Sequence, residues 1–108
     1  MPGLTFDVRP AGPSRLILAV TGEVDIATAP ELVECLRAHA DHDLVIDLSG
    51  VTFLDSSGIN ALLVGYRAVR DAGRTLHVTG ERDNVRQVLE IAAVTKLFHD
   101  GNDALADT

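Results

Sequence analysis

The 108-residue chain has one cysteine, one methionine, no tryptophan and only four aromatic side chains, Phe6, Phe53, Tyr66 and Phe98. A lone Cys35 excludes an internal disulfide framework and any cysteine-based zinc cluster. With so few aromatics the core must be built from Leu, Val, Ile and Ala, and platforms for stacking single-stranded nucleic acid are missing. Basic residues are scarce as well: nine against sixteen acidic, for a formal charge of −7. Binding a phosphate backbone needs clustered Lys and Arg, so no direct DNA or RNA partner is expected. Apolar runs such as residues 16–20 fall far short of the ~20 residues that span a bilayer. The first residues carry no basic stretch leading into an apolar one, which is the pattern of a secretory signal. These absences predict a cytoplasmic, acidic domain with no membrane partner. What is there suffices for one core, since a chain of this length buries roughly 65% of its unfolded surface.

Residues 4–9 alternate, with Leu4, Phe6 and Val8 on one side and Thr5, Asp7 and Arg9 on the other. That is the period of a half-buried strand. Pro10-Ala11-Gly12-Pro13 is turn chemistry, and residues 15–22 form a second, more buried strand, so the two should pair as an antiparallel hairpin. Thr28 followed by Glu31 is a capping box, with Pro30 in the first turn and Leu32, Val33, Leu36 and Ala40 on the apolar face. Residues 44–48 read as a strand. The strongest helix follows Asp55-Ser56-Ser57-Gly58, with Ile59, Leu62, Leu63, Tyr66 and Val69 on its core stripe and Ala72-Gly73 at its stop. Residues 75–79 read as a strand and residues 82–93 as a helix, with Val85, Val88, Leu89 and Ala92 inward. Residues 96–99 fit a last strand and residues 103–106 a last turn of helix. The order β-β-α-β-α-β-α implies parallel pairing through right-handed crossovers after the opening hairpin. We therefore expect an α/β fold: a mixed sheet of four to five strands with helices mainly on one face. A single domain occupies residues 1–108, its core at about 4–99 and a weakly patterned tail at 100–108.

Enzyme signatures are absent. The phosphate loop, the dinucleotide fingerprint and the serine elbow do not occur; Leu54 stands where that elbow needs glycine. Cys35, His39 and His42 sit at helical spacing, but three such residues are an incomplete zinc set, and they read as a half-buried cysteine beside exposed helix-end histidines. His77 alternates with Leu76 and Val78 and reads as a structural edge residue. Glu23 and Asp25 are loop carboxylates with no nucleophile tied to them. No catalytic residue, metal or cofactor is expected.

Asp55-Ser56-Ser57-Gly58 stands apart because it closes a strand and opens a helix. Asp or Ser at the cap accepts bonds from the first free N–H groups, and glycine permits close backbone approach. Two serines at a helix start are also good phosphoryl acceptors, since free N–H groups and the helix dipole favour an anion there. Asp55 would oppose that charge. Opposite the core stripe lie Ala61, Val64, Gly65 and Ala68, small side chains that either pack under a neighbouring helix or form a docking face beside the serines.

Val20-Thr21-Gly22-Glu23-Val24-Asp25, Thr28-Ala29-Pro30-Glu31-Leu32 and Val51-Thr52-Phe53-Leu54-Asp55-Ser56-Ser57-Gly58-Ile59 together resemble the STAS-domain anti-sigma-factor antagonists of bacteria. The similarity runs in order from about the first strand to Ala104 and Leu105. The resemblance implies a regulatory protein, not an enzyme. It implies binding to a serine kinase that doubles as an anti-sigma factor, release of the sigma factor, inactivation by phosphorylation and reversal by a serine phosphatase. By position the acceptor is Ser56, with Ser57 the alternative, and the partner-facing surface takes in Asp25, Asp55, Ser57, Gly58, Ala61, Val64, Gly65 and Ala68. The other reading is a non-phosphorylated STAS scaffold or transport accessory subunit, a class that often lacks the serine. Ala93-Val94 departs from the glycine that many relatives carry before the hydrophobic residue.

Overall fold

Alternating apolar residues and a Pro–Gly turn make the opening hairpin: β1 (Thr5–Pro10) pairs antiparallel with β2 (Arg15–Val24), closed by a bond from the Ala11 N–H to the Arg15 carbonyl at 2.9 Å. The computed structural model describes residues 3–100. After the hairpin come α1 (Ala29–Ala38), β3 (Asp43–Leu54), α2 (Ser56–Asp71), β4 (Leu76–Thr79), α3 (Asp83–Ile91) and α4 (Thr95–Asp100). The sheet order is β1-β2-β3-β4, with the two later pairings parallel. The mixed four-stranded sheet is thus the expected one.

Two successive right-handed crossovers in one direction place α1 and α2 on the same face. Alternate residues of the strands (Leu18 and Val20; Leu44, Ile46 and Leu48; Leu76 and Val78) point to that face and are buried. Leu32 and Leu36 of α1, Leu62, Tyr66 and Val69 of α2, Val85 and Leu89 of α3 and Phe98 of α4 complete one core. The opposite face carries the half-buried Ile17, Ala19, Val45 and His77. His77 lies on the edge strand, as expected.

Two sequence expectations change here. Residues 96–99 are helical, not a last strand, because Val94, Leu97 and Phe98 follow the 3.6-residue period and bury Phe98 completely. His99 on this helix bonds through Nε2 to the buried Glu81 carboxylate. Ala92 is exposed, since α3 ends at Ile91 and the chain turns away. The turn expected at residues 103–106 lies outside the described residues.

Candidate functional site

The paired ends of β2 and β3 define the site. Val24 sits opposite Leu54 in the parallel register, and the Asp55 N–H donates to the Val24 carbonyl at 3.3 Å. Asp25 and Asp55 therefore emerge side by side at the C-terminal ends of adjacent strands. Each caps the turn that it opens. Asp55 Oδ1 accepts from the N–H groups of Ser57 at 2.9 Å and Gly58 at 3.4 Å, and the Asp55 carbonyl takes the first helical bond, from the Ile59 N–H at 3.1 Å. Asp25 Oδ1 accepts from Ala27 at 2.9 Å and Thr28 at 3.1 Å, and its carbonyl accepts from the Ala29 N–H at 2.8 Å.

The capping box expected at Thr28 and Glu31 does not form. Asp25 already caps the helical turn three residues earlier, which leaves the Thr28 side chain free for another task. The buried Thr28 hydroxyl donates to the Glu23 carbonyl at 2.7 Å and accepts from the Asp25 N–H at 3.0 Å, locking the loop. Glu31 turns the other way, and its Oε1 accepts from the Leu4 N–H at 3.0 Å.

Ser56 is the first residue of α2 and is exposed; Ser57 is half-buried. Among the described residues, neither the Ser56 hydroxyl nor its N–H has a hydrogen-bond partner. Gly58 is buried where α2 crosses the strand ends: a Cβ there would stand 2.6 Å from Leu54 Cγ and 3.0 Å from Val24 Cγ1. Contact forbids a side chain at this position.

The small-residue row is not opposite the core stripe. Ala61 and Gly65 precede Leu62 and Tyr66 by one residue, which is a rotation of only about 100°. Both are buried, Ala61 at 1% exposure, and a Cβ on Gly65 would lie 2.4 Å from Leu36 Cδ1. The row packs under α1, and only Val64 and Ala68, half-buried, keep part of their surface. Gly58, Ala61 and Gly65 are thus buried, closely packed positions of α2. The open surface nearby is a groove of about 770 Å³ between α1 and the start of α2, lined by Ile26, Pro30, Val33, Ser57, Asn60 and Ala61 among others. Ile26, 82% exposed, stands at its mouth. Ile26 lies outside any periodic stripe, and its place beside a capping aspartate is the one signal of its exposure that the sequence carries.

The other candidates stay apart. Cys35 Sγ lies 4.0 Å from His39 Nδ1, but that nitrogen sits 2.7 Å from the Cys35 carbonyl, and His42 turns to Asp41. Both histidines are half-buried, not exposed, and burial pushes the Cys35 thiol pKa up. Among the described residues no three His, Cys, Asp or Glu side chains gather as a metal site. No helix among them is long and apolar enough to cross a membrane.

Residues 9–99 match the family described as Mlab, STAS domain. The chain belongs to the STAS-domain family of anti-sigma-factor antagonists. It is 30% identical over 83 residues to an anti-sigma-B factor antagonist of Staphylococcus aureus, covering 74% of this chain and 77% of the relative. The Staphylococcus epidermidis protein of the same name is 29% identical over the same shares. Among solved structures, an anti-sigma factor antagonist from Mycobacterium paratuberculosis superposes with a TM-score of 0.76 at 28% identity, covering 88% of this chain and 82% of that one. The phosphorylated form of Bacillus SpoIIAA shares the fold at a TM-score of 0.68 and 13% identity, over 88% of each chain. In this STAS domain the paired strand ends present Asp25 and Asp55 next to each other.

Proposed function

We propose that this chain is an anti-sigma-factor antagonist that binds an anti-sigma serine kinase, so freeing a sigma factor, and that phosphorylation of Ser56 switches it off. The observation that carries the reading is the Ser56 hydroxyl, exposed and unbonded at the first position of a helix whose cap is already made by its neighbour. The names of the relatives support the antagonist role, and the 13% identical SpoIIAA is a protein of this fold that takes phosphate. In the transfer, Ser56 Oγ forms a bond to the γ-phosphorus of ATP as the bond to the β-phosphate oxygen breaks. ADP leaves and the hydroxyl proton passes to a base on the kinase. A serine phosphatase reverses the state by hydrolysis.

The phosphoryl group adds about −1.5 to −2 charges at neutral pH. Asp55 already occupies the Ser57 and Gly58 N–H groups, so of the first amides only that of Ser56 remains for the new oxygens. The phosphate stands beside the Asp55 carboxylate and projects outward without displacing it. Burying such a dianion against a partner costs several kcal/mol unless it is paired, and each ~1.4 kcal/mol is tenfold in affinity. Block by bulk and desolvation needs no change of fold.

Incubation with a purified anti-sigma kinase and ATP, followed by intact-mass and fragment mapping, tests this. One phosphate is expected, on Ser56; Ser56→Ala abolishes it and Ser57→Ala keeps most of it. Phosphate on Ser57 overturns the assignment. Absence of any transfer, with binding unchanged by Ser56→Asp, favours the non-phosphorylated STAS scaffold or transport accessory subunit.

A further inference from the structure

We infer that the groove between α1 and the start of α2 is the seat of one amphipathic helix of the anti-sigma partner, lying antiparallel to α1 with Ile26 as its apolar anchor. The inference rests on the reading above and adds to it the form and the direction of the docked element.

Both α1 and α2 return from the ends of parallel strands, so they run parallel to each other and their N-termini share one end of the groove. Ile26 and Ser57 mark that end; Arg37 and Ala38 mark the other. The floor is apolar, with Ala29, Val33 and Ala61 between the two helices. The ten residues of α1 rise about 15 Å, the length of about three helical turns. α1 supplies a wall of that length and α2 the stretch from Ser57 to Ala61, and such an apolar trough accepts a third helix better than an extended strand, whose backbone would leave its N–H and C=O groups facing methyl groups. Ile26 is 82% exposed yet held in place, because the Asp25 and Thr28 bonds fix the loop on either side of it. An apolar side chain carried on a fixed backbone at the mouth of an apolar groove loses less freedom on burial than one on a loose loop, which is the profile of a binding anchor.

Charge sets the direction. Glu34 and Arg37 are the charged residues on the groove wall, both exposed, and neither forms an ion pair with a described residue. A helix favours acidic residues in its first turn and basic ones later. Laid antiparallel to α1, such a helix brings its acidic first turn to Arg37 and a basic residue to Glu34, and its last turn arrives at Ile26 and Ser57. Laid parallel, it sets its basic later turns against Arg37. The arrangement also explains why Ser56 is an effective place for a phosphate, which would crowd the mouth of the groove where the docked helix ends.

The test uses a purified anti-sigma kinase that phosphorylates this chain, with titration calorimetry and photocrosslinking. Ile26→Asp is expected to weaken binding at least tenfold and Arg37→Glu about three- to tenfold. Ile91→Asp, at an equally exposed apolar residue (81%) on α3, leaves the affinity within twofold. A photoreactive residue at Ala38 and another at Asn60 should label the first and last turns of one helix of the partner. If the kinase binds and phosphorylates the chain but Ile26→Asp leaves affinity within twofold, or the two labels fall on separate elements or in reversed order, the docking inference fails and the function stands. If the kinase neither binds nor phosphorylates the unaltered chain, the functional reading fails and the inference falls with it.

Discussion

Two loops lie next to each other at the ends of β2 and β3, and they are built alike. Each begins with an aspartate whose Oδ1 accepts from the N–H groups two and three residues on, Ala27 and Thr28 in one and Ser57 and Gly58 in the other. They differ in what that shared cap displays. After Asp25 comes Ile26, an exposed apolar side chain; after Asp55 comes Ser56, an exposed hydroxyl. Three residues after the first aspartate stands Thr28, which bonds back to the strand; three after the second stands Gly58, which lets the helix touch the strand directly. One frame therefore displays an exposed apolar side chain and an exposed hydroxyl, side by side.

The largest expected effect comes from making the second loop like the first. Gly58→Thr places a Cβ 2.6 Å from Leu54 Cγ and 3.0 Å from Val24 Cγ1, and Leu54 is itself packed in the core. The helix start must lift, at a cost of about 3 kcal/mol. Urea melts check this, and an unchanged midpoint would mean that the strand ends have slack. The converse change, Thr28→Val, keeps the volume but removes the hydroxyl that serves both Glu23 and Asp25. It leaves two backbone groups short of a partner, and about 1–3 kcal/mol should be lost.

Much of this architecture was legible in the sequence, for reasons particular residues make plain. The hairpin arises from strict alternation around Pro10-Ala11-Gly12-Pro13, and α2 from a long stripe that only a helix gathers on one side. Misreadings arose where a local pattern had two physical solutions. Thr28 and Glu31 satisfy the capping-box spacing, but Asp25 had already begun the turn, and only the tertiary position of β1 gives Glu31 its partner at Leu4. Ala61 and Gly65 belong to an apolar arc wide enough to meet both the sheet and α1, and spacing alone does not say which neighbour lies over which side. The short segment around Phe98 fits either period, and the complete burial of Phe98 as a helical residue decides it. Asp55, Ser56 and Ser57 stood out in the sequence because their capping chemistry is local, and Asp25 entered only through the family resemblance; Ile26 did not stand out, because exposure is set by the whole fold.

A smaller effect separates the two caps. Asp25→Ala and Asp55→Ala should each cost about 1 kcal/mol, since each removes one acceptor that serves two N–H groups. Asp55→Asn should keep nearly all of that stability, because asparagine caps as well as aspartate does. It also removes the charge beside Ser56, so phosphorylated Asp55→Asn should melt closer to its unmodified form than the phosphorylated parent does to its own. Equal gaps in the two proteins would show that the carboxylate and the phosphate do not face each other.

The smallest expected effect carries the same comparison to the other ends of the helices. α2 and α3 stop in the same turn. The Gly73 N–H bonds to the Arg70 carbonyl at 2.9 Å and the Arg74 N–H to that of Val69 at 2.8 Å; the Ala93 N–H bonds to Glu90 at 3.0 Å and the Val94 N–H to Leu89 at 3.1 Å. Both turns need a left-handed residue, and its φ is 76° at Gly73 and 60° at Ala93. Glycine adopts that region freely, whereas the alanine Cβ crowds the neighbouring carbonyl at a cost of about 1–2 kcal/mol. Ala93→Gly relieves this strain but gives the unfolded chain more freedom, so the net gain should be about 0.5–1 kcal/mol. For a chain of this size that is a rise of about 2–6 °C in Tm by calorimetry. Gly73→Ala should move Tm down by a similar amount, since it imposes on α2 the strain that α3 now bears. If Ala93→Gly lowers Tm instead, the methyl group of Ala93 contributes packing that outweighs its backbone strain, and the two helix ends are not equivalent.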